Sequence, residues 1–428
     1  MTQIITALMV KIRTDIFFRR YIIYFTGSMM VAVLNYLFYP VLGRMLTPSD
    51  FGDVQVFISL ITQTGIIFGA FSIVAVNITA NVENIHERNA ILAELQKICF
   101  YVVGALAVIL LLFFSKLNTF LQLDTVYPII GVLALLFLSA SSTFRSAYLQ
   151  GQGRFIGLSV SGIISSAGRL VFAVLLILLG IGSLGAIGGI IAAQIAAVCF
   201  LWNLTRNSLN LSTRTNVHVL EKGSIKKELL YGILVLFASG LVTFMYTSDV
   251  LIIKHLFDPH DAGLYSGISA IAKIIFFVTA PTIAVLLPAV KLKNSIKENS
   301  LALLKSLGLT FCLGGAVLLV FYLFSDITIK VLLGEQYLSL AHILPKVGVV
   351  MFLASLLNVF VYYFLALRKF ILIVISLVGV LCTAFLLLMS HDSIDSVLNS
   401  LIWSLFIILG LFLIFYVKNY FNRRTGIQ

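Results

Sequence analysis

The chain has 428 residues, of which 60% are hydrophobic and 11% are charged, and its formal net charge is +12. Soluble globular domains contain about 25% charged residues, so this composition excludes a water-soluble protein and predicts one that crosses a membrane many times. The four cysteines are far apart in the sequence, at Cys99, Cys199, Cys312 and Cys382. This spacing argues against a disulfide framework and against a zinc site.

The N-terminal segment predicts a short helix on the inner membrane surface, and no cleavable signal peptide is recognisable. Its apolar residues recur at helical spacing, at Ile5, Leu8, Ile12 and Ile16. Basic residues lie between them, as in helices that bind anionic lipid headgroups. A frayed tail is the alternative interpretation, and we assign residues 1–20 to an interfacial segment.

Twelve apolar runs follow, each long enough to cross ~30 Å of hydrocarbon as a helix of ~20 residues. Their predicted bounds are 21–43, 51–76, 98–115, 126–144, 157–179, 183–204, 229–253, 263–290, 303–325, 341–364, 370–390 and 397–417. The runs do not alternate between polar and apolar residues, which excludes a transmembrane barrel. The predicted fold class is therefore all-α, with twelve transmembrane helices that we number span 1 to span 12.

The basic residues predict the orientation of these spans. Nearly all of them lie in the termini and in every second connection, which positive-inside topology places in the cytoplasm. The opposite connections contain only Arg44, Lys116, Lys254 and Lys330. Both termini are therefore expected in the cytoplasm. This distribution also accounts for the positive net charge without a nucleic-acid partner.

A motif at the end of span 1 indicates an internal repeat. Residues 44–52 recur as residues 255–263, with a proline, an aspartate and a glycine at matching positions. Thr47 and Asp258 are predicted N-caps, each followed by a proline at the first helical position. Residues 147–155 are echoed by residues 362–370. Since each repeat has six spans, the repeats insert in the same orientation.

These repeats predict a domain organisation of two lobes. The N-lobe covers residues 21–204 and the C-lobe residues 229–417. A polar linker, 205–228, joins them in the cytoplasm, and residues 418–428 form a cytoplasmic tail.

Four ionisable residues stand out within the spans, namely Arg169, Asp249, Lys273 and Lys346. A charge at mid-bilayer costs about 2.5–3.5 kcal/mol on insertion scales, so each is expected to face a partner or a wet cavity. Asp249 and Lys273 either neutralise each other or bind a ligand or coupling ion. Lys346 is shallow enough to reach the interface.

Polar residues form stripes on spans 1, 2, 7 and 8, which are equivalent pairs in the two repeats. We expect these stripes to face a shared central cavity. The predicted cavity residues are Arg169, Lys273, Asn35, Tyr39, Gln55, Gln63 and Tyr246.

The sequence offers little support for an enzyme. It has no Gly-Lys dipeptide and hence no Walker A loop. The histidine spacing fits no helical metal-ligand pair. The predicted outer loops are too short for a glycosyl-transfer site. We expect no enzymatic activity, no cofactor and no metal.

Several passages resemble the polysaccharide and O-antigen flippases, in the superfamily that includes the multidrug and toxin extrusion transporters. They are residues 42–52, residues 149–155, Arg169, Ser248-Asp249 and Ala262-Gly263-Leu264-Tyr265. The resemblance implies two six-helix lobes arranged as a V. It also implies that an undecaprenyl-pyrophosphate-linked oligosaccharide crosses a bacterial inner membrane, from the cytoplasmic to the periplasmic leaflet, by alternating access.

Within this resemblance, the cavity residues would bind an anionic, hydroxyl-rich headgroup. Arg145 and Arg154 would capture the pyrophosphate on the cytoplasmic side, although both also fit ordinary positive-inside residues. Asp249 is the candidate for coupling to H⁺ or Na⁺. The expected partners are the lipid-linked oligosaccharide, membrane lipid, a glycan polymerase and a chain-length regulator.

Two rival functions remain. A cation-coupled multidrug exporter would favour an acidic cavity, whereas the four ionisable residues that stand out within the spans are three basic and one acidic. A non-transporting scaffold for glycan assembly enzymes would tolerate loss of Arg169 or Asp249.

Overall fold

A computed structural model describes residues 16–123, 127–209, 223–290, 295–389 and 392–424. The secondary structure of these residues is predominantly helical, and none of them lies in a strand. Twelve of the helical segments are long and apolar enough to cross a membrane. The predicted fold class and the number of spans are confirmed.

Two of the spans, 2 and 8, are built from more than one helix. Spans 1 to 6 comprise Ile16–Met45, Pro48–Thr64 with Ile66–Asn81, Ile85–Leu112, Tyr127–Gly151, Phe155–Leu178 and Gly182–Thr205. Spans 7 to 9 comprise Gly223–Leu256, then Pro259–Ala272 with Ile274–Thr279 and Pro281–Ala289, and Ile296–Leu323. Spans 10 to 12 comprise Leu344–Ala366, Ile371–Met389 and Ile394–Arg424. Short helices Phe114–Phe120 and Ser325–Leu332, and a 3₁₀ segment Glu335–Ile343, lie in the connections.

The helix starts predicted at the repeated motif are confirmed. The Thr47 hydroxyl accepts a hydrogen bond from the backbone N–H of Asp50 at 3.2 Å. The Asp258 carboxylate accepts bonds from the N–H groups of His260 and Asp261 at 3.0 and 3.3 Å. Burial raises the pKa of Asp258, but these two backbone donors outweigh it and leave that pKa below its usual value. Both spans therefore begin at capped, proline-initiated turns.

Helix ends were predicted less well, because apolarity alone marks the hydrocarbon part of a span. Span 3 begins at Ile85, where the Asn84 side chain caps it, well before the predicted position 98. Span 4 continues to Gly151, so Arg145 is a helical residue and its predicted place in a connection is wrong. Lys254, also predicted in a connection, belongs to the helix of span 7.

The described residues form two compact units. Unit 1 contains residues 1–38, 67–115 and 126–229, and unit 2 contains residues 39–66, 116–125 and 230–428. The boundaries inside spans 1 and 2 fall near two helix-perturbing residues, Pro40 and Gly65. The lobes 21–204 and 229–417 stay a prediction. The interfacial segment up to residue 15, linker residues 210–222 and tail residues 425–428 lie outside the described part of the chain.

Within unit 2, spans 2 and 8 approach most closely at the two glycines of the repeated motif. A Cβ atom on Gly52 would lie 3.0 Å from the Cα atom of Gly263. A Cβ atom on Gly263 would lie 2.0 Å from the carbonyl oxygen of Pro48. Small residues permit such contact between helix backbones in membranes. Equivalent positions of the two repeats thus meet at one helix crossing.

An ion pair lies beside this crossing. The Lys254 Nζ atom of span 7 lies 2.8 Å from the Asp53 Oδ1 atom of span 2, and the Lys254 side chain is only 1% exposed. This contact connects spans 2 and 7, so two buried charges neutralise each other.

The connection between spans 9 and 10 packs on the same end of unit 2. The Gln336 side chain donates hydrogen bonds to the carbonyl oxygens of Gly43 and Leu46, at 2.7 and 3.3 Å. The buried ring of Tyr337 packs edge-on against Phe51, with ring centroids 6.3 Å apart. This connection therefore covers the turn between spans 1 and 2.

We expect Gly263→Ala to destabilise the protein by about 1–3 kcal/mol, because the added methyl group collides with backbone atoms that cannot rotate away. Thermal unfolding of the purified protein in detergent measures the effect. Gly308→Ala is the matched control, since its Cβ atom would meet no atom within 4 Å. Equal melting temperatures for the two variants would contradict the packing argument.

Asp53→Asn should cost about 3 kcal/mol of stability, because it leaves the Lys254 ammonium buried without its counter-charge. The double variant Asp53→Asn, Lys254→Met should recover much of that loss. The measurement is a double-mutant cycle on unfolding in detergent. Strictly additive effects of the two substitutions would contradict a direct pair.

Candidate functional site

In unit 1, Arg169 attaches span 5 to span 1. Its Nη2 atom donates a hydrogen bond to the backbone carbonyl oxygen of Asn35 at 3.1 Å. Its guanidinium group lies 4.3 Å from the centre of the Phe38 ring. The structure therefore brings two predicted cavity residues, Arg169 and Asn35, together.

The two arginines predicted on the cytoplasmic side have different environments. Arg145 is 4% exposed, and its Nη1 atom donates to the Thr205 hydroxyl at 2.6 Å. Its guanidinium group lies 4.1 Å from the Trp202 ring centre. Arg154, by contrast, is exposed at the start of span 5, and its side chain makes no capping bond. Of the two, Arg145 has the more defined surroundings.

Asp249 is the most enclosed ionisable residue among the predictions for unit 2, with no exposed surface. Its Oδ2 atom accepts hydrogen bonds from the hydroxyl groups of Tyr265, at 2.9 Å, and Ser269, at 2.5 Å. Its Oδ1 atom is buried and has no hydrogen-bond donor among the described residues. Span 8 thus holds one oxygen of this carboxyl group and leaves the other available.

Lys273 lies at a break in span 8, between helices Pro259–Ala272 and Ile274–Thr279, and is 6% exposed. It interacts electrostatically with Asp249. The ion pairs of the described residues are Lys254–Asp53, Lys330–Glu335 and Lys346–Asp395, so Asp249 and Lys273 are not in contact. The exposed pair of Lys346 with Asp395, at 2.5 Å, accords with the expected shallow position of Lys346.

Three tyrosines of unit 2 are close enough to interact. Tyr246 of span 7 stacks on Phe276 with ring centroids 4.6 Å apart. Its phenol group also interacts with those of Tyr39 and Tyr362. Tyr39 and Tyr246 were predicted as cavity residues, whereas Tyr362 was noted only as part of the sequence echo. The tyrosines provide hydroxyl groups and ring faces in one place.

The two glutamines of span 2 face different surroundings. Gln55 is buried, and its Nε2 atom has no acceptor among the described residues. Gln63 donates from Nε2 to the Thr247 hydroxyl at 3.1 Å. It also borders a largely apolar cavity of about 410 Å³ between spans 2, 7 and 11. Other lining residues are Leu236, Phe237, Gly240, Phe244, Ser376 and Leu381.

Sequence reasoning missed two of these features. The pairing of Asp53 with Lys254 joins residues far apart in the sequence, and no local pattern predicts it. Arg88 was treated as a connection residue, although it lies in the helix of span 3 and is 7% exposed. The signal for Arg88 was present, because Asn84 and Glu87 have the spacing of a capped helix start.

A cluster of three or more potential metal ligands does not occur among the described residues. His255 stacks on Phe120 instead, with ring centroids 3.7 Å apart. The arrangement can therefore bind by charge, hydrogen bonds and aromatic faces.

Comparison with solved structures identifies the fold. An inward-facing multidrug resistance transporter of the MATE family, in the MOP superfamily, is 12% identical, with a TM-score of 0.73 over 94% of this chain and 99% of that one. An inward closed structure of the lipid II flippase MurJ is 14% identical, with a TM-score of 0.66 over 93% of this chain and 87% of that one. At these identities the similarity concerns the fold.

Comparison of sequences is more specific. No curated protein matches the chain. A family described as "Polysaccharide biosynthesis protein" matches residues 17–292, which is more than half of the 428 residues. The chain therefore belongs to this polysaccharide biosynthesis family and has the fold of the MOP-superfamily transporters.

Proposed function

We propose that this protein is a flippase for an undecaprenyl-pyrophosphate-linked oligosaccharide. It would move the repeat unit from the cytoplasmic to the periplasmic leaflet of a bacterial inner membrane, with both termini in the cytoplasm. Transport would proceed by alternating access between two lobes, without enzymatic chemistry. Membership of a polysaccharide biosynthesis family supports the choice of cargo, and the fold shared with a lipid II flippase supports the mode of transport.

The observation that carries this proposal is the presence of buried cations that have no carboxylate in contact among the described residues. Lys273 and Arg145 are almost fully buried, and neither forms an ion pair with an acidic residue within the described part of the chain. Burying an uncompensated charge is costly. An anionic cargo such as a pyrophosphate would repay that cost during part of the transport cycle.

The uncharged groups fit the remainder of such a cargo. Tyr39, Tyr246 and Tyr362 offer rings and hydroxyl groups suited to sugars. The apolar cavity beside Gln63 suits part of an isoprenoid chain. We propose that Lys273 and the tyrosines of unit 2 bind the headgroup. For unit 1 we propose the same role for Arg169 and Asn35.

For coupling we propose Asp249 with a proton. Its Oδ1 atom lacks a donor, and either a proton or a sodium ion would complete the site. The nearby Lys273 ammonium group would repel a sodium ion bound at Asp249, whereas it would not repel the neutral carboxylic acid that forms when Asp249 takes up a proton. This balance favours H⁺ over Na⁺.

A multidrug exporter is the second candidate function. It is favoured by the transporter with the TM-score of 0.73, which is a multidrug resistance protein. A drug cation, however, would meet Lys273 and Arg169 on the cargo path, and like charges disfavour that binding. The third candidate function is a scaffold that only organises a glycan polymerase or a chain-length regulator. Such a scaffold needs no buried cations.

Deletion of the gene should cause completed lipid-linked repeat units to accumulate on the cytoplasmic leaflet, because assembly continues while transfer stops. Extraction and analysis of lipid-linked sugars, with a membrane-impermeant probe for sidedness, measures this. Accumulation of incomplete units would instead indicate an assembly scaffold. Normal glycan with increased drug susceptibility would indicate an exporter.

Arg169→Gln and Asp249→Asn should each reduce glycan export by at least about tenfold, which corresponds to a little over 1 kcal/mol at the slow step. Protein levels in the membrane should stay normal. The matched controls are Arg206→Gln and Asp395→Asn, which change exposed residues of the same types. Export that survives both Arg169→Gln and Asp249→Asn would contradict these assignments.

A further inference from the structure

Two buried arginines of unit 1 lie near ends of consecutive spans, Arg88 at the start of span 3 and Arg145 towards the end of span 4. Arg88 is the fourth residue of span 3, and Arg145 lies six residues before the end of span 4, about 9 Å along the helix. They are 7% and 4% exposed. Neither forms an ion pair with Asp or Glu in the described part of the chain. Two positive charges are thus held at the predicted depth of the inner headgroups.

Aromatic rings hold these charges in place. The Arg88 guanidinium group lies 5.4 Å from the centre of the Tyr148 ring. Tyr148 is one helical turn from Arg145 on the same face of span 4. Arg145 in turn lies against Trp202 of span 6, which is 53% exposed. Arg88 therefore contacts a ring that lies one helical turn from Arg145, and Arg145 contacts a tryptophan that reaches the surface.

The hydrogen-bonding capacity of both arginines is incompletely used. The Nε atoms of Arg88 and Arg145 are buried and have no acceptor among the described residues. Arg145 uses Nη1 on Thr205, whereas Arg88 has only its ring contact. A buried cationic N–H group without an acceptor is unfavourable, and a water molecule, an ion or a ligand can complete such a site. Phosphate oxygens match the planar fork of guanidinium donors.

The second half of the chain provides an internal control. Arg88 lies four residues after the N-cap Asn84, and Asn299 lies four residues after the N-cap Ser295. The repeat therefore replaces this arginine with an amide.

The second arginine, Arg145, is also replaced by an uncharged residue in the second half of the chain. Arg145 precedes Tyr148 by three residues, and Phe360 precedes Tyr363 by three. Phe360 stacks on Phe412 of span 12, with centroids 6.3 Å apart, where Arg145 contacts Trp202 of span 6. The helices of the second repeat therefore pack with asparagine and phenylalanine at the positions equivalent to Arg88 and Arg145. Helix packing alone does not require the two arginines.

We propose that Arg88 and Arg145 form a binding site for a phosphate or pyrophosphate headgroup at the cytoplasmic end of unit 1, with Trp202 as its cover. The cytoplasmic location rests on the proposed orientation and function. The site replaces the Arg145 and Arg154 pair expected from the sequence, because Arg154 is exposed and Arg88 is not. The headgroup belongs either to the lipid-linked cargo before transport or to an anionic membrane phospholipid.

The chain offers a direct optical test, because it contains only two tryptophans, Trp202 and Trp403. In full-length protein carrying Trp403→Phe, the remaining fluorescence reports on Trp202. Titration in detergent with farnesyl pyrophosphate should change this fluorescence saturably, and titration with farnesol should not. A response to farnesol equal to that of the pyrophosphate would overturn the proposal, since the site would then recognise the apolar chain.

Arg88→Gln should weaken farnesyl pyrophosphate binding by about tenfold or more, the loss expected for one charge-assisted contact. The matched control is Arg154→Gln, for which affinity should change less than about twofold, as for a screened surface charge. Equal effects of the two substitutions would overturn the site. Because Arg145→Gln changes the fluorescence of Trp202 itself, its affinity is measured by calorimetry.

Folding is checked by size-exclusion profile and melting temperature. Should Arg145→Gln fail to fold, Arg88→Gln and Arg88→Lys decide the question. Lysine keeps the positive charge but lacks the planar, two-pronged donor group of arginine. The affinity of Arg88→Lys for farnesyl pyrophosphate should therefore fall between those of wild type and Arg88→Gln. Unchanged affinity in both Arg88 variants would mean that the arginine is structural only, and the proposal would be wrong.

Two further measurements identify the source of the phosphate. In nanodiscs of phosphatidylcholine, added phosphatidylglycerol should compete with farnesyl pyrophosphate if the resident ligand is a membrane phospholipid. Competition by the pyrophosphate compound alone supports the cargo. Suppose that binding of farnesyl pyrophosphate depends on Arg88, while deletion of the gene leaves the lipid-linked sugars unchanged. This result would support the binding site and refute the proposed flippase function. Accumulation of completed units without such binding would refute the site alone.

Discussion

The contact between Gly52 and Gly263 is the constraint on which the arrangement of spans 2, 7 and 8 depends. With only 3.0 Å available for a Cβ atom at Gly52, neither helix can carry a side chain at the crossing. The residues that follow are therefore fixed. Asp53, next to Gly52, reaches Lys254 of span 7. Tyr265, two residues after Gly263, reaches Asp249 of the same span. One close approach thus positions both buried carboxyl groups.

The two halves of the chain share this framework but differ in the charges placed on it. The caps at Asn84 and Ser295 and the turns at Pro48 and Pro259 recur because they specify where helices begin. Buried ionisable residues such as Arg88 and Arg145 do not follow the repeat, because Asn299 and Phe360 occupy their equivalent positions. The helix caps and turns that both repeats share serve folding. The buried charges that only one repeat has are attributed to a function of that repeat.

Much of the fold was readable from the sequence because membranes make local signals decisive. Every backbone group in hydrocarbon must be paired within its own helix, so an apolar run of sufficient length already specifies a span. Capping residues then mark the turns, as at Thr47 and Asp258. Helix ends were less predictable where the first or last turns are polar, and for that reason Arg88, Arg145 and Lys254 were assigned to connections.

The contacts of the candidate site were less predictable, because they join distant spans. The sequence indicated Arg169 and Asp249 from the cost of charge in hydrocarbon, but not what each would touch. Helical phase also placed Gln55 and Gln63 on one stripe, yet Gln55 is buried and only Gln63 lines the cavity of unit 2. Phase gives the direction of a side chain, whereas the neighbouring helix decides whether that direction leads to open space or to packing.

The way each buried charge is compensated separates structural from functional roles. Lys254 meets a carboxylate, so the pair has no net charge and can remain buried throughout any cycle. Arg145 meets a ring and a hydroxyl group, which stabilise its position and leave its charge in place. Lys273 lies near Asp249 without touching it. A charge without a counter-charge in contact attracts a mobile ion strongly in a low-dielectric setting. An anion therefore gains most by binding at Arg145 or Lys273, and not at the paired Lys254.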